Sequence, residues 1–417
     1  MFRYANNLPN LESRRLFLVY LTIAWEQRKL TDVASKFMYG LNVASKYYDG
    51  TNKYLRITDI DDLSHNLSNK KLTSPDSKDI DESYLLKQND LLFARTGASV
   101  GKTYLYKSSD GIVYFAGYLI KASILDNFDS KFIFNITLTT KYNNFVKVTS
   151  QRSGQPRINA KEYSNYKFKM PNSLKEQKSI GYLLNLIDDL VALYQEQLHF
   201  YEKLKKTLLQ NMFANTHRSK PVIRFSKFHD SWEPRELNAV MSDFIVPMRD
   251  KPKQFGGTIP WTRIDDIDGK YLNESKSGNY VSTETIKSMN LKVIPKNSLI
   301  VSASATFGVV AIVTNDLVTN QTFIGLVPKP SYNLEFLFNL FKTPRIQKLM
   351  RIESVGSTIF YISRDKFKKM NCNVPTLKEQ NLIGKICRSV DEFIALYQTK
   401  LNYMNSEKEY LLQKLFI

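Results

Sequence analysis

The sequence predicts an α+β protein built twice over. Two tandem globular domains, each a curved mixed β-sheet with helices, are tied by a pair of long antiparallel coiled-coil helices with pseudo-two-fold symmetry. Three observations carry this. "LKEQKSIGYLLNLIDDLVALYQEQL" from Leu174 recurs as "LKEQNLIGKICRSVDEFIALYQTKL" from Leu377, an offset of 203 residues without a gap. Upstream, "WEQRKL" from Trp25 recurs as "WEPREL" from Trp232 at an offset of 207, which "LRITDID" and "TRIDDID" keep. Each recurring "LKEQ" segment carries apolar residues seven apart over about five heptads, the mark of a coiled-coil seam.

In chain order, residues 1–24 form an atypical lead-in, 25–172 the first domain and 173–215 the first spacer helix. Residues 216–231 form a linker, 232–375 the second domain and 376–417 the second spacer helix. The lead-in contains "SRRLFLVYLTIAW", which looks like a twin-arginine export signal. Its apolar run of about ten residues is too short to span a bilayer. It passes into "WEQRKL" without a small-residue cleavage site, so chance resemblance is the preferred reading. The domains mix short β-like runs ("DLLFA", "TYLYK", "IVYFAGYLI"; "LKVI", "NSLIVSA", "VVAIVT") with turn residues. In the first spacer, Ile180, Ile187, Tyr194, Tyr201 and Leu208 form one seam position. Leu183, Leu190 and Leu204 form the other, with polar Gln197 and Asn211. In the second spacer Ile383, Val390, Tyr397, Met404 and Leu411 hold the first position, and the other weakens to Lys400, Glu407 and Lys414. Forty helical residues extend about 60 Å. Such a helix cannot bury its stripe alone, and its twin carries the same stripe.

Composition narrows the partner. The 417 residues are 43% apolar and 24% charged, ordinary for a globular chain. A net charge of +19 with 24 Tyr and 25 Phe favours a polyanion, nucleic acid above all. No basic amphipathic helix with a bulky apolar face points to a membrane surface. The two cysteines, Cys372 and Cys387, exclude a disulfide framework and a cysteine zinc site, and fit a reducing cytoplasm. His65, His199, His217 and His229 lack metal-ligand spacing, so no metal is expected.

Catalytic readings fail on chemistry. "RTGASVGKT", Arg95 to Thr103, approaches a P-loop but has Thr96 where the first glycine belongs. A P-loop must feed a helix whose N-terminus holds phosphate. Here "YLYKSSDGIVYF" reads as strand, turn, strand. The second copy, "SASATFGVVA", keeps one glycine in register (Gly308 with Gly101) and loses the lysine. An amino-methylating enzyme needs an Asn/Asp-Pro-Pro-aromatic loop, and the chain has no Pro-Pro. Pro75-Asp76 with Asp129-Ser130-Lys131 is too widely spaced for a metal nuclease. Arg56 and Arg263, each followed by aspartates, read as a turn with a structural ion pair. The chain is expected to carry no catalytic residue.

The order domain, "P…LKEQ" helix, domain, "P…LKEQ" helix resembles the DNA-specificity subunit of type I restriction-modification systems. "MPNSLKEQKSIGYLLNLIDDLVALYQEQL" and "VPTLKEQNLIGKICRSVDEFIALYQTKL" carry the resemblance, with "KPVIRFSKFHDSWEPREL" and "WEQRKL" as the lead-ins to two target-recognition domains. It covers nearly the whole chain. The first half departs from it by lacking the lead-in seen as Pro221, Arg224, Phe225, Phe228 and Trp232. The resemblance implies a non-catalytic reader of a bipartite, asymmetric duplex DNA target. Each domain would contact one half-site. The helices would fix the gap, so that changing their length changes the gap alone, and would dock two copies of a methyltransferase subunit carrying S-adenosylmethionine. A restriction/translocase subunit using ATP and Mg would join for cleavage, and the chain itself would hold no cofactor.

Basic groups position phosphates, while Arg, Asn, Gln, Ser and Thr read base edges. On that basis the DNA contacts expected in the first domain are Arg95, Thr96, Ser99 and Lys102, then Arg152, Gln155 and Arg157. In the second they are Ser302, Ser304 and Thr306, then Arg351, Ser357 and Arg364. The ten first-position seam residues are expected to serve the helix pair and partner docking. Matched Lys-Glu-Gln positions on both helices point to such a partner. The alternative is a stand-alone coiled-coil DNA-binding protein with a regulatory or architectural role. A third reading, an ATP-driven enzyme, would require ATP binding abolished by Lys102→Ala.

Overall fold

A computed structural model describes residues 25–62, 64–68, 71–77, 79–151, 154–214, 219–247, 251–303, 308–354 and 361–416. The lead-in 1–24 lies outside them, as do Arg152, Ser304, Thr306 and Ser357. The fold divides into two units, residues 1–196 with 399–417, and residues 197–398. Each long helix gives one part to each unit.

In the first unit the main sheet is antiparallel, in the order Ala34–Tyr39, Leu119–Ile124, Asp90–Ala94, Thr103–Leu105. The run "DLLFA" is buried throughout because it has apolar neighbours on both faces. Leu91 and Phe93 enter one core cluster, Leu92 and Ala94 another, in the two-residue alternation of a strand. "IVYFAGYLI" is two strands and not one. Val113–Phe115 pairs in parallel with Lys53–Leu55, and Leu119–Ile124 joins the main sheet. The second unit repeats the plan with Met241–Ile245, Phe323–Pro328, Leu299–Ser302 and Val310–Val313, and adds Tyr271–Leu272 at the edge. A two-stranded ribbon occurs in each: Trp25–Lys29 on Lys167–Pro171, and Glu233–Glu236 on Asn371–Val374. Cys372 and Cys387 are free and buried, and burial pushes their thiols up to about 12 and about 11.

The long helices are Leu174–Asn211 and Leu377–Leu415. Both begin on Leu-Lys-Glu-Gln, and the structure turns the Glu and Gln inward. Buried Gln177 accepts from the Asp129 amide (3.1 Å) and donates to Pro171 O (2.9 Å). Buried Gln380 does the same with the Asn333 amide (3.0 Å) and Pro375 O (2.9 Å). Asp129 and Asn333 are themselves the N-caps of helices Ser130–Ile136 and Leu334–Lys342. Glu176 accepts from Trp25 Nε1 (3.0 Å). Glu379 accepts from Trp232 Nε1 (3.3 Å) and from both arms of Arg224 (2.7 and 2.8 Å). The matched Glu and Gln therefore clasp each helix to its own domain. Their repetition follows from internal bonding and does not require a partner.

The same approach explains a repeated glycine. A Cβ on Gly181 would lie 2.4 Å from Asp129 Oδ1, and one on Gly384 would lie 2.6 Å from Asn333 Oδ1. Gly384→Ala must push the helix off its clasp and is expected to cost the second unit about 1–3 kcal/mol. A lowered urea midpoint with unchanged slope would show it. An unchanged midpoint would mean that the helix has room to spare.

The helices pack antiparallel within each unit. Asp188 meets Lys408 at 2.5 Å in the first, and Asp391 meets Lys205 at 2.9 Å in the second. Tyr201 stacks on Phe393 (4.8 Å) and Tyr397 (5.5 Å). Ile180, Ile187, Leu208, Ile383 and Val390 are buried, and Tyr194, Tyr201, Tyr397, Met404 and Leu411 half-buried. The other seam position is corrected by one residue. Over most of both helices it falls four residues after the first and not three, at Leu184, Val191, Cys387, Ile394 and Leu401, with Leu183 and Lys400 exposed, while Leu204 packs on the core at its expected place. Five of the ten first-position residues are thus closed within the pair and five are half-open.

The far end of each helix enters the other copy's core. Phe213 packs on Trp232 (6.3 Å) and Phe336 (5.4 Å) in the second unit. Phe416 packs on Trp25 (6.0 Å) and Phe132 (5.2 Å) in the first. "LLQNMF" and "LLQKLF" match because each ends in the phenylalanine that completes an aromatic trio.

Candidate nucleic-acid interface

"RTGASVGKT" is a strand, a single 3₁₀ turn (Gly97–Ser99) and a strand, with no helix after it. Several of its amides are spent internally. Gly97 N donates to Pro156 O (2.9 Å), Val100 N to Gly97 O (3.1 Å) and Lys102 N to Ser99 O (3.0 Å). Gly101 N donates to Ala94 O (2.9 Å) and to the Tyr163 hydroxyl (3.1 Å). Gly101 and Gly308 both have positive φ (+89° and +82°), and a Cβ on either would strike Val146 or Gln347 from the helix that covers the turn. That contact keeps one glycine in register.

Lys102 is a structural cation and not an exposed DNA contact. Its Nζ donates to Ile60 O (3.0 Å) and pairs with Asp62, with the side chain only 13% exposed. With His65, Asp188 and Lys408 it lines a cavity of about 430 Å³ beside the long helices. His65 Nδ1 donates to Thr103 O (2.9 Å), and burial holds the ring below its ordinary pKa.

The other first-domain candidates converge. Thr96 bridges Arg157 across an antiparallel pairing, and Ile158 N donates to Arg95 O (2.9 Å). Two segments sixty residues apart thus form one edge. Arg95, Thr96, Gln155, Arg157 and Asn159 line a cleft of about 680 Å³ between them. Ser99 sits half-buried at the end of the turn, away from that lining.

In the second unit, Ser302 is fully buried in its strand and presents nothing to a ligand, which corrects its assignment. Arg351 is exposed in the last turn of helix Pro344–Glu353, and exposed Arg364 reaches Asp243 (3.3 Å). Ile362 N donates to Ala303 O (3.0 Å), which ties the corresponding two segments together. A cluster missed in the sequence lies at "KPKQFGGTIPWTR". Lys251 stands over Phe255 (5.3 Å) and Trp261 (5.9 Å), and Arg263 over Trp261 (5.6 Å), with Phe255 exposed. Cations interleaved with aromatics were the available signal. Arg56, the first-copy counterpart of Arg263, is locked to Asp59 at 2.8 and 2.9 Å. Arg263 keeps only its backbone bond to Asp266 (2.6 Å), so the expected ion pair forms in one copy. Among the described residues no His, Cys, Asp and Glu group is arranged for a metal. No described helix is long and apolar enough to cross a membrane.

The profile of the type I restriction modification DNA specificity domain matches residues 23–199 and again 231–405. The MjaIX type I restriction enzyme specificity subunit of Methanocaldococcus jannaschii is 26% identical over 171 residues, a match spanning 40% of either chain. The putative MjaX specificity subunit of the same organism is 21% identical over 94% of this chain and 92% of its own. A crystal structure of a type I restriction-modification S subunit from M. genitalium superposes with a TM-score of 0.65, covering 95% of this chain and 97% of that one at 15% identity.

Proposed function

The chain belongs to the type I restriction-modification DNA specificity family, and we propose on that footing that it is the non-catalytic DNA-recognition subunit of such a complex. The observation that carries the reading is the duplication of one clasped domain-and-helix unit with unlike loops at equivalent places. Arg95 borders a cleft in the first unit where Ser302 is buried in the second, and Arg263 lies over Trp261 in the second where Arg56 is locked to Asp59 in the first. Two scaffolds of one kind with different contact residues suit a bipartite target whose halves differ.

Assembly uses the helices. Outside the seam, the first unit exposes Leu186, Leu193, Tyr403 and Tyr410, and the second Phe200 and Leu396. Several recur at heptad spacing along each helix, as docking of a helical partner requires. The reading assigns these rows to two methyltransferase subunits, which supply S-adenosylmethionine. A restriction/translocase subunit supplies ATP and Mg chemistry, and the complex works in the cytoplasm without a membrane. The exposed rows weigh against a stand-alone DNA-binding role.

Co-expression with the cognate methyltransferase subunit and mapping of modified adenines tests this. The expected product is a two-part motif with a fixed gap. Methylation that does not depend on this chain would sink the reading, and tight bipartite binding by the chain alone would favour the stand-alone alternative. Replacing residues 25–170 by another family member's domain is expected to change one half-site and leave the other and the gap intact. Change in both halves would refute independent readers.

A further inference from the structure

Arg95 is held as a preformed fork. It extends the strand Asp90–Ala94, and its backbone is tied on both sides, the amide to Tyr118 O (3.0 Å) and the carbonyl to Ile158 N (2.9 Å). Its guanidinium lies 4.9 Å over the ring of Tyr39. That ring is itself fixed, since Tyr39 belongs to the neighbouring strand Ala34–Tyr39 and its hydroxyl accepts from Ala160 N (3.2 Å). Arg95 Nε is buried and has no hydrogen-bond partner among the described residues. Burying a charged donor unpaired is costly, and the cost is accepted where the terminal nitrogens must be presented in one plane. Arg95 borders the cleft shared with Gln155, Arg157, Asn159 and Glu162.

We propose that Arg95 reads a guanine in the half-site of the first domain, donating from its two terminal nitrogens to O6 and N7, with Tyr39 as a positioning residue. This rests on the specificity-subunit reading above. The fork matches the guanine major-groove edge, which offers two adjacent acceptors, and no other base does. A phosphate also accepts a guanidinium in two bonds. The exposed amide side chain of Gln155 in the same cleft is a base-reading type, and the Glu162 carboxylate in the lining disfavours a phosphate, so the base is favoured. Ser302, the second-copy counterpart, is buried and uncharged, so the assignment applies to one half-site only.

The test uses the assembled methyltransferase complex on its mapped target, with 7-deazaguanine replacing each guanine in turn. This removes N7 and leaves pairing and backbone charge alone. Wild-type affinity is expected to fall about ten- to a hundredfold at one guanine of the first half-site. Arg95→Ala should bind the natural and substituted duplexes alike, while sensitivity at second half-site guanines persists and reports a folded complex. Tyr39→Leu should shrink the discrimination at that guanine without altering the salt dependence of binding, which a phosphate role would alter. A first half-site without guanine, or Arg95→Ala retaining the full loss, would overturn the assignment. If the wild-type complex shows no bipartite target at all, the underlying reading fails instead.

Discussion

Phe416→Ala loosens the first unit and leaves the second intact, while Phe213→Ala does the reverse. Phe416 is 8% exposed and sits between Trp25 and Phe132, and Phe213 is 4% exposed between Trp232 and Phe336. Removing a buried phenylalanine costs about 3–5 kcal/mol, made of lost transfer energy and a cavity the surroundings cannot fill. A domain is stable by only about 5–15 kcal/mol, so the affected unit is brought near its threshold. Peptide-resolved hydrogen exchange checks this. Faster exchange in Phe132, Ile133 and the strand Asp90–Ala94, with the second sheet unchanged, is the outcome for Phe416→Ala. Equal loss in both units would show that the helix ends do not belong to separate cores.

Arg224→Ala is expected to destabilise the second unit by about 3–5 kcal/mol, because it strands a buried carboxylate. Glu379 is 1% exposed, and after the substitution only the Trp232 indole N–H remains to hold it. The counterpart in the first unit is weaker. Glu176 is half-buried and is held by Trp25 Nε1, so Glu176→Ala should cost about 1 kcal/mol. The double variant Arg224→Ala with Glu379→Leu should recover much of the loss, since replacing both members of a buried pair is tolerated better than removing one. Urea unfolding of the three variants decides it. A cost below about 1 kcal/mol for Arg224→Ala would mean that the pair is solvated and the clasp is the glutamine alone.

The duplication, the α+β class and the two long helices could be read from matched residues, because offsets of 203 and 207 survive wherever both copies must make the same internal bond. The strand–turn–strand of "RTGASVGKT" was legible for the same reason, through Gly101 and Gly308. The seam was misplaced by one residue because Leu183, Leu184, Leu190 and Val191 are all apolar, and a spacing of three or four is equally helical. Only tertiary packing chooses Leu184 and Val191. Lys102 and Ser302 were misassigned because residue type does not tell which way a side chain faces. The cleft was visible only as two separate basic stretches, Arg95–Lys102 and Gln151–Arg157. Long-range backbone pairing joins them, and single-sequence periodicity carries no information about it.

The aromatic trios also set an order of events at the ribosome. Trp232, Phe336 and Phe213 are made in one continuous stretch, so the second unit has its core residues once its own domain has emerged. The first unit has Trp25 and Phe132 early but waits for Phe416. At about 5–20 residues per second, the roughly 245 residues between the end of its domain and that phenylalanine take on the order of 12–50 s. During that time the apolar face meant for Phe416 stands open in the nascent chain. The unit whose domain is synthesised first is thus the one whose aromatic trio is completed last.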